Sequence, residues 1–174
     1  MSEQPRVRPD PALGLLDIYD TALPQVYGYL LSRCRDRTLA QDLTADTFLA
    51  AVTTARKQPT PPITTGWLIG VARHKLADHW RRAEREQRGL RLVYTAGGQT
   101  EDPWDAEIDT VVAHQVLDAL GPHHRAALTL RYLDGLPVAQ VAEHLGRTLH
   151  ATEALLVRAR AAFRAAYEDP EALR

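Results

Sequence analysis

Pro137-Val138-Ala139-Gln140-Val141-Ala142-Glu143-His144-Leu145-Gly146-Arg147-Thr148 is the stretch that decides the fold. Val138, Val141, Ala142 and Leu145 recur at helical spacing and share one face. Pro137 suits a first helical turn, and Gly146 suits the left-handed position just after a helix. A second helix is predicted from about Thr148 through Ala161, with Thr152, Leu156, Ala159 and Phe163 as its apolar face. Two helices joined by so short a glycine turn make a helix-turn-helix, whose second helix is shaped for a DNA major groove. The same periodicity also allows a plain helical hairpin in an all-α core.

Composition narrows the rest. The chain has 174 residues, 45% of them hydrophobic, enough for one medium domain or two small ones. Aromatic residues are few, which favours helices over strands. No apolar run approaches the ~20 residues that span a bilayer, so membrane insertion is not expected. The segment from Met1 to Pro11 is polar and contains proline, unlike a signal peptide, and the chain is expected in the cytoplasm. A lone cysteine, Cys34, excludes an internal disulfide and reads as a small helix-face residue. The formal net charge is −1, far from the basic excess of a general polyanion binder. Residues 1–91 carry 14 Lys/Arg against 10 Asp/Glu, whereas residues 92–174 carry 7 against 12. Phosphate neutralisation supplies most non-specific DNA affinity, so such a chain should bind free DNA weakly and need a larger partner.

Three further helices are predicted in the first half, over about Leu13–Cys34, Thr38–Lys57 and Thr64–Arg88. Pro59, Pro61 and Pro62 separate the last two. The inner face of the third is Trp67, Leu68, Val71, Ala72, Leu76 and Trp80. From Leu92 to Asp109 the pattern lapses into glycine, proline and five acids, a flexible acidic linker. Periodicity resumes at Val111, breaks at Gly121-Pro122 and continues through Tyr132. The expected architecture is all-α: two small helical domains, 11–91 and 110–169, joined by the linker 92–109.

The third helix carries Arg73, His74, Lys75, His79, Arg81, Arg82, Arg85 and Arg88 against only Asp78, Glu84 and Glu86. Lys75, His79 and Arg82 recur every three or four residues, as do Arg81, Arg85 and Arg88, a stripe able to follow a phosphate backbone or simply to face solvent. Catalytic signatures are missing from the sequence: no phosphate-binding glycine loop, no His-Glu-x-x-His pair and no nucleophile elbow. His123-His124 at a helix start read as facing solvent rather than binding metal. Asp42 and Asp46 share a helix face and read as a contact for basic groups of a partner. No catalytic residue, metal site or cofactor is expected.

Three segments together resemble the sigma-70 family, in particular the extracytoplasmic-function (ECF) group of bacterial sigma factors. Ala40-Gln41-Asp42-Leu43-Thr44-Ala45-Asp46-Thr47-Phe48-Leu49 is similar to the region 2 motif that docks on core RNA polymerase. The resemblance implies polymerase contacts at Asp42, Leu43, Asp46, Thr47 and Phe48. Trp67 to Arg82 resembles the segment that melts and reads the −10 promoter element, which points to Trp67, Arg73, His74, Lys75, Asp78, His79, Arg81, Arg82 and, just beyond, Arg85. Leu117 to Tyr132 with the helix-turn-helix resembles region 4, which reads the −35 element, here through Arg147, His150, Ala151, Glu153, Ala154 and Arg158.

The resemblance covers about residues 13 to 167, and no appended C-terminal sensing domain is expected. It implies a promoter-recognition subunit with core RNA polymerase and promoter DNA as partners and an anti-sigma factor as a further candidate. A stand-alone helix-turn-helix regulator is the alternative. Two departures stand out. Asp46 occupies a position where Glu is commoner, and Leu155 one where Arg is frequent. Between Gly146 and Ala161 only Arg147, Arg158 and Arg160 are basic, and a carboxylate at Glu153 repels phosphate, so the −35 preference does not carry over from the family. Leu155 and Val157 read as apolar residues on exposed helix faces that would suit an anti-sigma contact, or else as part of the second domain's core.

Overall fold

A computed structural model describes residues 11–57, 61–90 and 109–169. The expected linker, apart from Asp109, lies outside the described residues. Those residues are helical with no strand. They fall into two compact units, residues 1–76 and 77–174, so the division lies inside one helix rather than at its end.

The first unit opens with a 3-10 turn, Pro11–Leu15, followed by α1, Leu16–Cys34, and α2, Arg37–Ala55. Ala22, Val26, Leu30 and Cys34, each four residues apart, are the buried stripe of α1. That stripe continues on both sides of the exposed Pro24, and the helix runs through it. Leu16 and Tyr19, off this stripe, are exposed. Arg35 closes α1 in the left-handed region, φ 55°, and its N–H donates to the Leu31 carbonyl at 2.9 Å. Asp36 then caps α2 by accepting from the Leu39 N–H at 3.1 Å. So short a connection forces α1 and α2 into an antiparallel pair. Buried threonines in α2 satisfy themselves locally: Thr44 donates to the Ala40 carbonyl at 2.6 Å and Thr47 to the Leu43 carbonyl at 2.7 Å. Thr64 caps α3, Thr65–Leu90, through the Trp67 N–H at 3.1 Å, and Leu68, Ala72 and Leu76 carry its buried stripe.

The second unit takes the C-terminal half of α3 together with α4, Thr110–Ala119, α5, Pro122–Leu128, α6, Val138–Leu145, and α7, Leu149–Glu168. Asp109 caps α4 with one carboxylate oxygen accepting from Val111 and Val112 at 2.8 and 3.2 Å. Its own N–H donates to the Tyr167 hydroxyl at 2.9 Å, which ties the start of α4 to the end of α7. Pro122 occupies the first turn of α5, where its missing N–H costs nothing. A π-helical turn, Thr129–Leu133, follows and was not apparent in the sequence pattern. Gly146 ends α6 at φ 61°, and Arg147 N–H donates back to Ala142 at 3.0 Å. Thr148 begins α7 by accepting from Ala151 at 3.2 Å. The helix-turn-helix read from the sequence is therefore present, built from α6 and α7. Leu117 of α4, Leu128 of α5 and Ala159 of α7 form a core cluster of the second unit, with Leu120 and Phe163 packed against them.

Candidate polymerase and nucleic-acid surfaces

On α2 the expected docking residues separate by helical phase. Asp42 and Asp46 are exposed, one turn apart, while Leu43 and Phe48 are buried beneath them. Phe48 is held by an edge-on contact with Tyr19 at 5.1 Å between ring centroids. Thr47 is fully buried with its hydroxyl spent on the Leu43 carbonyl, so it supports this face from within. Leu49, absent from the expected set, is 65% exposed one turn beyond Asp46. Its position out of phase with the Ala40, Leu43, Thr47, Phe48 and Ala51 stripe was the signal that could have found it. The face is two carboxylates beside one exposed leucine, suited to a basic surface with an apolar contact.

The basic run of α3 divides between the units. In the first, Trp67 and Lys75 are half-buried, His74 is exposed, and half-buried Arg73 lies over the Tyr29 ring at 6.0 Å. In the second, His79 is half-buried, and Arg82 and Arg85 are exposed. Asp78, expected among the base-reading residues, is ion-paired with Arg81. Glu84 accepts from Arg88 at 2.6 Å and from Arg147 at 2.9 and 3.2 Å.

On the helix-turn-helix, His150, Glu153, Ala154 and Arg158 are exposed along α7, and Ala151 is half-buried. Leu149, also exposed, was missed. Arg147 lies in the turn and is held by Glu84. One expectation fails here. Leu155 is 1% exposed and belongs to the core of the second unit, not to an outward face. Val157 is half-buried.

His123 and His124 do not face open solvent either. Both are half-buried, with ring centroids 4.1 Å apart. Burial lowers the His123 pKa; Glu84 partly opposes this, while Arg147, Arg88 and Arg158 add to it. Burial, with help from His123 and Arg158, pushes His124 down to about 4. Both rings are neutral at pH 7. Among the described residues no group of three or more His, Cys, Asp or Glu is placed to hold a metal ion, and no helix is long and apolar enough to cross a membrane.

Residues 18–86 match the sigma-70 region 2 family model, and residues 111–163 match the sigma-70 region 4 model. Region 2 followed by region 4, each helical and the second ending in a helix-turn-helix, is the layout of a sigma factor. The chain belongs to the sigma-70 family of RNA polymerase sigma factors, within its ECF group. It is 31% identical over 152 residues to the ECF RNA polymerase sigma factor BldN of Streptomyces coelicolor, covering 82% of this chain and 56% of that protein. It is 32% identical over 140 residues to the ECF RNA polymerase sigma factor SigC of Mycobacterium tuberculosis, covering 76% of this chain and 72% of that one. Among solved structures, the fold is similar to the sigma factor RpoE of Bartonella quintana, crystallised with the anti-sigma factor NepR. The TM-score is 0.54 at 18% identity, over 90% of this chain and 98% of that one.

Proposed function

We propose that this chain works in the cytoplasm as the promoter-recognition subunit of RNA polymerase and carries no chemistry of its own. Region 2 docks on the core enzyme through Asp42 and Asp46, held outward by buried Leu43, Thr47 and Phe48, with Leu49 adding an apolar contact. The basic run from Arg73 to Arg85, with Trp67 at its start, addresses the −10 element. Exposed Arg82 and Arg85 take phosphates there. The outward residues of α7, His150, Ala151, Glu153, Ala154 and Arg158, with Arg147 in the turn, address the −35 element. The residues 11–91 and 110–169 act as the two reading domains. An anti-sigma factor is the partner that would silence it, a reading supported by the RpoE relative having been crystallised with NepR.

The observation that carries this reading is the ordered pair of region 2 and region 4 matches, with two exposed carboxylates on the docking helix. Docking is tested by Asp46→Arg. Placing a cation against a basic surface costs several kcal/mol at an interface, on the order of a hundredfold or more in affinity. Capture by core polymerase should fall sharply while helix content by circular dichroism stays unchanged. Undiminished capture would remove α2 as the docking element.

A further inference from the structure

The C-terminal half of α3 is strongly basic, and two of its three acids, Asp78 and Glu84, are engaged by arginines. Glu84 is the informative one. Its carboxylate is 13% exposed and lies between two guanidinium groups, Arg88 at 2.6 Å and Arg147 at 2.9 Å. Arg147 is 63 residues away in sequence and stands in the turn that leads into α7. That turn is where a helix-turn-helix meets phosphate, because the first N–H groups and positive end of the second helix point there. A carboxylate flanked by guanidinium groups makes the same charge-assisted hydrogen bonds to arginine as a phosphate does.

The neighbouring contact agrees. Arg81 lies over Gly146: a Cβ at that glycine would stand 2.8 Å from the Arg81 Nη1. Arg81 is in turn held by Asp78. Trp80, Glu84, His123, Leu145, Arg147 and Leu155 line one crevice where the segment meets the helix-turn-helix.

We propose that Glu84 is an internal phosphate mimic: in the free chain it occupies Arg147, so that residues 77–90 and the helix-turn-helix turn mask one another from DNA. This rests on the reading of Arg147 as a DNA contact. The masked form lowers apparent DNA affinity by the fraction of chains that are open. DNA phosphates release it by competing for Arg147.

The test uses the full chain in a Cys34→Ala background. Spin labels at Gln87→Cys and Arg160→Cys, both exposed sites of the second unit, report the separation of the two segments. The unmutated contact should give one short, narrow distance distribution. Glu84→Arg should widen it, and Glu84→Arg with Arg147→Glu should restore it. A distribution unmoved by the single reversal overturns the proposal.

The second arm measures anisotropy of the free chain on a labelled mixed-sequence duplex. Glu84→Gln should tighten binding about tenfold, the scale set by releasing a mostly closed population. Glu86→Gln removes the same formal charge from an exposed site on the same helix and should change binding far less. Equal gains from the two variants, or a widened distance without tighter binding, overturn the proposal. Promoter selection by the assembled holoenzyme is read separately, so its failure would strike the sigma-factor reading and not this contact.

Discussion

Leu155→Ala should cost the second unit about 3 kcal/mol. Leu155 is 1% exposed and packs where Trp80, Ala126 and Leu145 also converge. Removing a fully buried leucine side chain loses its transfer free energy and leaves a cavity, and together these typically cost about 2–5 kcal/mol. The upper part of that range applies to sites that cannot collapse. Here the crevice beside Leu155 leaves room for partial relaxation, which favours the middle of the range. Ala154, one residue earlier and exposed, is the internal control. Ala154→Leu should stay within about 0.5 kcal/mol of the parent. Urea unfolding followed by circular dichroism gives both values, and a parallel duplex-binding assay separates packing from contact. Ala154→Arg should strengthen duplex binding without loss of stability, whereas Leu155→Arg should fail to fold because it buries an unpaired charge. A cost below 0.5 kcal/mol for Leu155→Ala, or a folded and DNA-tight Leu155→Arg, would refute the burial argument and return Leu155 to the outward face.

Two glycines should respond with opposite signs. Gly146→Ala forces a side chain into the left-handed region at φ 61° and should lose about 1 kcal/mol, while Gly28→Ala, in α1 with open space around its Cβ position, should gain about 0.5–1 kcal/mol; thermal melts measure both. Stability should also depend on His124. Its pKa is lowered to about 4 in the fold, so as pH falls the unfolded chain takes up that proton first, near 6.5. The stabilisation is fully present above about pH 6.5 and is lost as the pH falls toward 4. Solvent screening at this half-buried ring limits it to about 1–2 kcal/mol. His124→Gln should flatten the slope of unfolding free energy between pH 7 and pH 5, leaving the smaller contribution of His123 in the same direction.

Local chemistry was the most legible part of the sequence. Gly146 and Thr148 act where they stand, through a left-handed turn and a side-chain cap, so the turn of the helix-turn-helix could be placed to within a residue or two, whereas α7 runs on to Glu168, well past the expected end at Ala161. Asp42 and Asp46 were readable as a surface pair because helical phase alone separates them from Leu43 and Phe48. Where a long-range contact decides burial or pairing, the deciding partner lay far away in sequence. Leu155 lies next to the apolar stripe of Thr152, Leu156 and Ala159. A helix covered on two flanks buries a wider arc than one stripe predicts. His123 and His124 were read as solvent-facing because nothing nearby in sequence covers them. Glu84 counted as a minority charge in a basic run, since its partner Arg147 is 63 residues downstream. Asp109 was assigned to an acidic linker and instead caps α4 and bonds Tyr167. The Asp-Thr-Val sequence at that point was a cap signal. The π turn at Thr129–Leu133 is invisible to any reading that assumes 3.6 residues per turn.

Whether this chain directs RNA polymerase to promoters is decided by transcription with purified core polymerase on a genomic DNA library, with 5′ ends mapped in the presence and absence of the protein. A promoter-recognition subunit should give a discrete set of start sites that depends on the chain, shares upstream −35 and −10 sequences, and is lost with Asp46→Arg. Start sites unchanged by adding the chain, together with tight binding of the chain alone to a palindromic duplex, would contradict that role and indicate a stand-alone helix-turn-helix regulator.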